Sequence, residues 1–174
     1  MSEMDRVPSK VAVVRCDSYD RDKVMAAVRE GIELLGGFDC LFADAVPGWE
    51  ELGKDAEILL KPNLLSRAAP EKAVTTHPEV FRAVGELLHE AGYSNLAYGD
   101  SPGNPAYGMS KVAETSGIKG VAEELGIRAG DFDHGTEVEY LEGKVAKHFV
   151  LCDEVVKVTG ADGSAPAGAI INVC

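Results

Sequence analysis

Apolar residues recur along the chain in two rhythms, and their alternation predicts the order of elements. Val11-Ala-Val-Val14, within residues 10–15, is a short β-branched run suited to a buried strand. Asp20 offers an N-cap to the helix that follows. Its apolar positions Val24, Val28, Ile32 and Leu35 fall at helical spacing, and Gly36-Gly37 closes it. Residues 38–54 are less regular, with a turn at Pro47-Gly48. Glu57-Ile-Leu-Leu-Lys61 predicts a second buried strand, stopped by Pro62, and a polar loop runs over residues 63–75.

The best-marked helix starts at Thr76-His-Pro-Glu79. Thr76 and Glu79 have capping-box spacing, and Pro78 sits in the first turn, where its missing N–H costs nothing. Val80, Val84, Leu87, Leu88 and Ala91 form the apolar stripe, and Gly92 suits the position after the helix. Asn95-Leu-Ala-Tyr-Gly99 predicts a third short strand, leading into a loop over residues 100–105. Residues 107–125 read as two short helices broken around Gly117, and residues 127–131 as another strand. Segments 137–141 and 144–150 flank Glu142-Gly143, which predicts a hairpin. A Gly/Ala/Pro/Ser loop over 162–168 precedes a last strand, Ala169-Ile-Ile-Asn-Val173. The order predicts one α/β domain over residues 1–174: a three-layer sandwich with a mostly parallel central sheet and an added antiparallel hairpin.

Composition narrows the function. Lys and Arg total 17 against 29 Asp and Glu, a formal net charge of −12. That balance argues against nucleic acid, whose binders need a basic surface, and against an anionic membrane. The apolar runs are too short to span a bilayer, and the polar start lacks a signal-peptide core, so a cytoplasmic location is expected. The four cysteines, Cys16, Cys40, Cys152 and Cys174, form no C-x-x-C, so no iron–sulfur or zinc motif is present. They are expected to be reduced and mostly buried, with Cys174 exposed. Trp49 is expected to pack. His89 is expected at the surface, His134 in an exposed polar turn, and His148 as a packed or edge residue.

Three polar segments fall at strand ends or a helix start, where open α/β sheets bind ligands. They are Lys61-Pro-Asn63, Thr75-Thr-His-Pro78 and Gly99-Asp-Ser-Pro-Gly103. Lys61 offers a compact cation and Asn63 amide donors. The helix start at Thr76 would attract an anion. His77 could exchange a proton near neutral pH, Asp100 could accept a hydrogen bond or hold a hard cation, and Ser101 offers a hydroxyl. Lys61, Asn63, Thr76, His77, Asp100 and Ser101 are therefore the candidate site, which fits a small anionic ligand better than a bulky apolar one. Each has a plainer reading: Lys61 as exposed strand punctuation, Thr76 as a cap, His77 as a structural hydrogen-bonder, and the Asp100 loop as a turn. The P-loop, G-x-G-x-x-G and G-x-S-x-G patterns are absent.

The ordered trio Leu60-Lys-Pro-Asn-Leu-Leu65, Thr75-Thr-His-Pro-Glu79 and Gly99-Asp-Ser-Pro-Gly103 resembles the signature of domain-of-unknown-function family 362, a bacterial and archaeal family. The similarity runs from about Lys10 to the last residue. Members are mostly uncharacterised. Many carry a ferredoxin-like domain with two four-iron clusters, so the resemblance implies a redox setting, often in anaerobes. This chain lacks the cluster cysteines and the ferredoxin-like domain. Its last strand ends at Cys174, where the family continues with a Pro-Lys-Leu-Lys-Thr-His-like segment, and its 160–168 loop is longer or more irregular than usual. A truncated member, a fragment and half of a split protein all fit. A parallel strand at that end would leave an exposed edge, which favours pairing with another chain.

Two function readings follow, with a third behind them. In the first, the domain binds a small anion or metal-bound anion in a redox process whose iron–sulfur clusters lie on another protein. In the second, it is a non-enzymatic interaction or scaffold protein needing a partner chain or a second copy of itself. A hydrolase or phosphotransferase built on Asp100 and His77 comes third, because no known catalytic spacing supports it. Ligand, cofactor and any reaction stay open at this stage.

Overall fold

Ile58, Leu59 and Leu60 are fully buried, as befits a strand covered on both faces. They lie in β1 (Glu57–Pro62), which has a strand on each side. The computed structural model describes residues 9–174. Its main sheet is parallel and ordered β3-β2-β1-β6, with β2 at Leu96–Tyr98, β3 at Arg128–Ala129 and β6 at Gly168–Val173. Leu60 pairs with Tyr98 on one side and with Ile171 on the other.

Helices cover both faces. On one, Ile58 and Leu60 join Phe81 and Leu88 of α4 (Pro78–Glu90) and Ile118 of α6 (Ile118–Leu125) in the main core. The helix α1 (Arg21–Leu34) packs beside α4, and Arg21–Glu86 and Arg29–Glu90 ion pairs, at 2.5 and 2.8 Å, tie the two together. On the other face, Leu59 and Ala97 meet Val158 of α7 (Asp153–Thr159). The alternation of side chains along β1 thus feeds two separate cores. The expected α/β architecture and parallel sheet are present, and so are the two helices broken at Gly117, α5 (Met109–Thr115) and α6. The antiparallel hairpin forms from β4 (Gly135–Glu139) and β5 (His148–Cys152).

Residues 11–14 form no strand. Val11 and Val13 are 81% and 89% exposed, so the β-branched run has found no sheet to join. Residues 38–54, read as irregular, hold two short helices, α2 (Gly37–Ala45) and α3 (Trp49–Leu52). They exist to seat an aromatic cluster: Phe42 lies 4.6 Å from buried Trp49 and meets Tyr93 edge-on at 5.3 Å. The helix α7 was not expected at all. His89 is half-buried rather than exposed, its two ring nitrogens each 3.0 Å from a carbonyl, of Tyr93 and of Leu125. None of the four thiols is fully buried: Cys16 and Cys174 are exposed, Cys40 and Cys152 intermediate, and all are free.

On the sheet face covered by α7, buried charges are paired. Glu57 binds Arg128 and, at 2.7 Å, Lys157, while Glu154 binds Arg128 at 2.5 Å and accepts from the Asp131 amide at 3.0 Å. Burial pushes the Glu154 carboxyl up, but the bonds from Arg128 and the Asp131 amide outweigh this and bring it down to about 2.

Candidate functional site

The carboxyl ends of β1, β2 and β6 lie side by side, with Pro62 paired to Val173 and Leu60 to Tyr98. The loops that follow them therefore meet, as the strand order requires. The chain leaving β1 is clamped from two directions. On one side the Asn63 amide donates to Thr76 Oγ1 at 2.8 Å, and the Thr76 amide donates back to the Asn63 carbonyl at 3.1 Å. On the other, the Leu64 amide donates to Asp100 Oδ2 at 2.9 Å.

This clamp divides the six predicted residues into two groups. Lys61, Asp100 and Ser101 form the first. Lys61 Nζ lies 2.7 Å from Asp100 Oδ1, so the buried carboxylate is used on both oxygens. Ser101 Oγ lies 3.0 Å from Cys152 Sγ, at the end of β5. Cys152 entered the site without any signal in the sequence, since only the hairpin's return brings it there.

Asn63, Thr76 and His77 form the second group, around a cavity of about 220 Å³. Thr76 does not cap α4. Its hydroxyl accepts from Asn63 and donates to the Val173 carbonyl at 2.5 Å, tying the loop to β6. His77 is the N-cap instead. Its Nδ1 accepts from the Glu79 amide at 3.2 Å, and its carbonyl accepts from the Val80 and Phe81 amides. With Pro78 lacking an N–H, the first turn of α4 has its donors in use. Accepting at Nδ1 puts the ring proton on Nε2, which has no partner among the described residues. Tyr19 stacks on the His77 ring at 3.8 Å and 10°.

Thr75 is the residue the sequence reading passed over. Its Oγ1 is buried and has no hydrogen-bond partner among the described residues. Thr75, Tyr19 and Cys174 line the cavity with Asn63, Thr76 and His77. The signal was present in the doubled threonine, but capping logic assigned a role to Thr76 alone. No Asp or Glu among the described residues lines this cavity, in a chain with 29 of them. Elsewhere a larger groove of about 540 Å³ runs between residues 14–19, α1 and Val80. It is mainly apolar and shares Tyr19 and Val80 with the smaller cavity. Among the described residues, no three His, Cys, Asp or Glu side chains are grouped to hold a metal, and no helix is long and apolar enough to cross a membrane.

Comparison with known proteins bears on this geometry. The thylakoid-associated protein sll1697 of Synechocystis sp. is 37% identical over 92 residues, which cover 53% of this chain. The matched stretch spans only 25% of that relative's length. No solved structure matches the chain. The sequence profile of a domain of unknown function, DUF362, matches residues 58–161, more than half of the chain and a narrower span than the resemblance had suggested. That span contains β1 from Ile58 onward, α4, β2 and all six candidate residues, and the chain belongs to the DUF362 family.

Proposed function

We propose that this domain binds a small anion in the cavity at the carboxyl ends of the sheet. The observation that carries the reading is the buried Thr75 hydroxyl, which has no partner among the described residues. A buried polar group without a partner costs about 1–3 kcal/mol, so an occupant that accepts its hydrogen bond gains what the empty site lacks. His77 and Asn63, which carry an Nε2–H and a side-chain amide as further donors, line the same cavity. No Asp or Glu side chain among the described residues lines it, which suits a negative ligand in a chain of net charge −12. A volume of about 220 Å³ suits an oxyanion or small carboxylate, free or metal-bound, better than a nucleotide.

In this reading Thr76 and Asp100 hold the loop, and Lys61 neutralises the buried Asp100 carboxylate that would otherwise repel the ligand. His77, with its ring proton on Nε2, is able to donate a hydrogen bond to the ligand. The domain serves a redox process, and the iron–sulfur clusters of that process sit on a partner protein. Four free thiols accord with the reducing cytoplasm. Titration with inorganic phosphate, followed by NMR, tests the site: the His77 ring and the Thr75 amide shift together and saturate. Shifts confined to other residues place the anion elsewhere and end the reading.

The second reading is a non-enzymatic interaction domain. The exposure of Val11 and Val13, and a β6 edge with no neighbouring strand among the described residues, favour it.

A further inference from the structure

We propose that two copies of the chain exchange strands, residues 11–14 of each copy adding to the open edge of β6 in the other. The inference rests on the interaction reading above and is independent of the anion.

Two incomplete elements motivate it. Along its six residues β6 pairs with β1 on one side only; no described strand lies on the other. Such an edge presents a row of backbone donors and acceptors that recruits another strand. Val11-Ala-Val-Val14 is the complementary element. It is β-branched and pairs with no strand among the described residues, and its exposure alternates residue by residue, the side-chain rhythm of a strand. Val11 and Val13 stay 81% and 89% exposed, so this run leaves its two largest outward side chains in water.

Val14 and residues 16–19 border the groove of about 540 Å³ that separates them from Val24, Ala27 and Val28 of α1 and from Val80 of α4. The pivot is well placed. Tyr19, just before α1, lines the same small cavity as Cys174, just after β6. A strand swinging out at residues 17–20 therefore starts beside the carboxyl end of a β6 edge.

A second copy is the occupant because, among the described residues, each copy carries one unpaired strand-like segment and one unpaired edge. Reciprocal exchange satisfies both and closes as a two-fold dimer. Neither Val11-Ala-Val-Val14 nor Gly168-Ala-Ile-Ile-Asn-Val173 carries a charged residue. The seam is thus free of the local repulsion that a net charge of −12 per copy would otherwise impose.

Light scattering after size exclusion, with native mass spectrometry of the full chain over a concentration series, tests this. The expected result is a dimer that dissociates on dilution, with slower hydrogen exchange at residues 11–14 and along β6 in the dimer. The double substitution Val11→Asp with Val13→Asp, at two surface positions, weakens dimerisation at least tenfold and leaves the circular dichroism of the fold unchanged. A dimer indifferent to both substitutions has its interface elsewhere and overturns the exchange. A monomer that retains a foreign polypeptide overturns the second copy as occupant while keeping the interaction reading. A bare monomer at every concentration ends both.

Discussion

The Thr76 hydroxyl donates to the Val173 carbonyl at 2.5 Å, joining residues 97 positions apart in the chain. The same oxygen accepts from the Asn63 amide at 2.8 Å. One side chain thus fixes the exit of β1, the start of α4 and the end of β6. Thr76→Val keeps the shape and removes both bonds, leaving the Asn63 amide without its partner. A loss of about 2 kcal/mol is expected in urea unfolding, most of it restored by Thr76→Ser. Equal stability of the Val and Ser variants would deny Thr76 this role.

Asp100 is a structural anchor as well as a neighbour of the site. Asp100→Ala strands the Leu64 amide and frees Lys61, whereas Asp100→Asn keeps an acceptor for Leu64 and loses only the ion pair. The alanine variant is expected to be less stable by about 2 kcal/mol and the asparagine variant by about 1 kcal/mol or less, because Lys61 remains partly in water. Thermal melts at one pH rank the two. An asparagine variant as unstable as the alanine one would mean that the ion pair, not the Leu64 bond, is the larger contribution.

Gly168 starts β6 opposite Glu57, and a Cβ there would overlap the Glu57 backbone carbonyl. Backbone cannot move aside as the tip of a side chain can. Gly168→Ala is expected to cost about 3 kcal/mol or to prevent folding, read from the chemical-denaturation midpoint. Gly120→Ala, in open space on α6, is expected to be neutral or slightly stabilising and serves as the control.

Acid tests the buried charge network. The Glu154 carboxyl falls from 4.5 to about 2 on folding. A depressed carboxylate stabilises the fold above its unfolded value and loses that contribution as pH falls through the folded one. That contribution is complete at neutral pH and is lost progressively as pH falls below the ordinary carboxylate range. Glu154→Gln is expected to flatten that part of the stability–pH curve. An unaltered slope in the variant would assign the acid sensitivity to other carboxylates.

Elements carried by a strong local pattern were legible in the sequence. The runs at 57–61 and 169–173 and the stripe from Val80 to Ala91 became β1, β6 and α4, because burial there follows directly from apolar spacing. Residues 11–14 carry the same kind of pattern and form no strand, since a strand exists only when an edge is at hand. The helix α7 hid behind three valines and a threonine in seven residues, a strand-like composition overridden by packing against Leu59 and Ala97. At the site, the sequence located the loops, and strand order brought their residues together. It could not tell Thr75 from Thr76, because which hydroxyl is satisfied depends on Val173, nearly a hundred residues away. Nor could it show Cys152 beside Ser101.

The Thr75 hydroxyl is the most direct test of the anion reading. It makes no bond among the described residues, so replacing it by a methyl group removes an unsatisfied polar atom and nothing else. Calorimetric titration of the protein and of Thr75→Val with inorganic phosphate, beside their thermal melts, gives both quantities. The expected result is stoichiometric binding weakened at least tenfold in the variant, with a melting midpoint equal to or above that of the unmodified chain. Equal phosphate affinity in the two proteins, or a variant that loses stability without losing binding, would contradict the assignment.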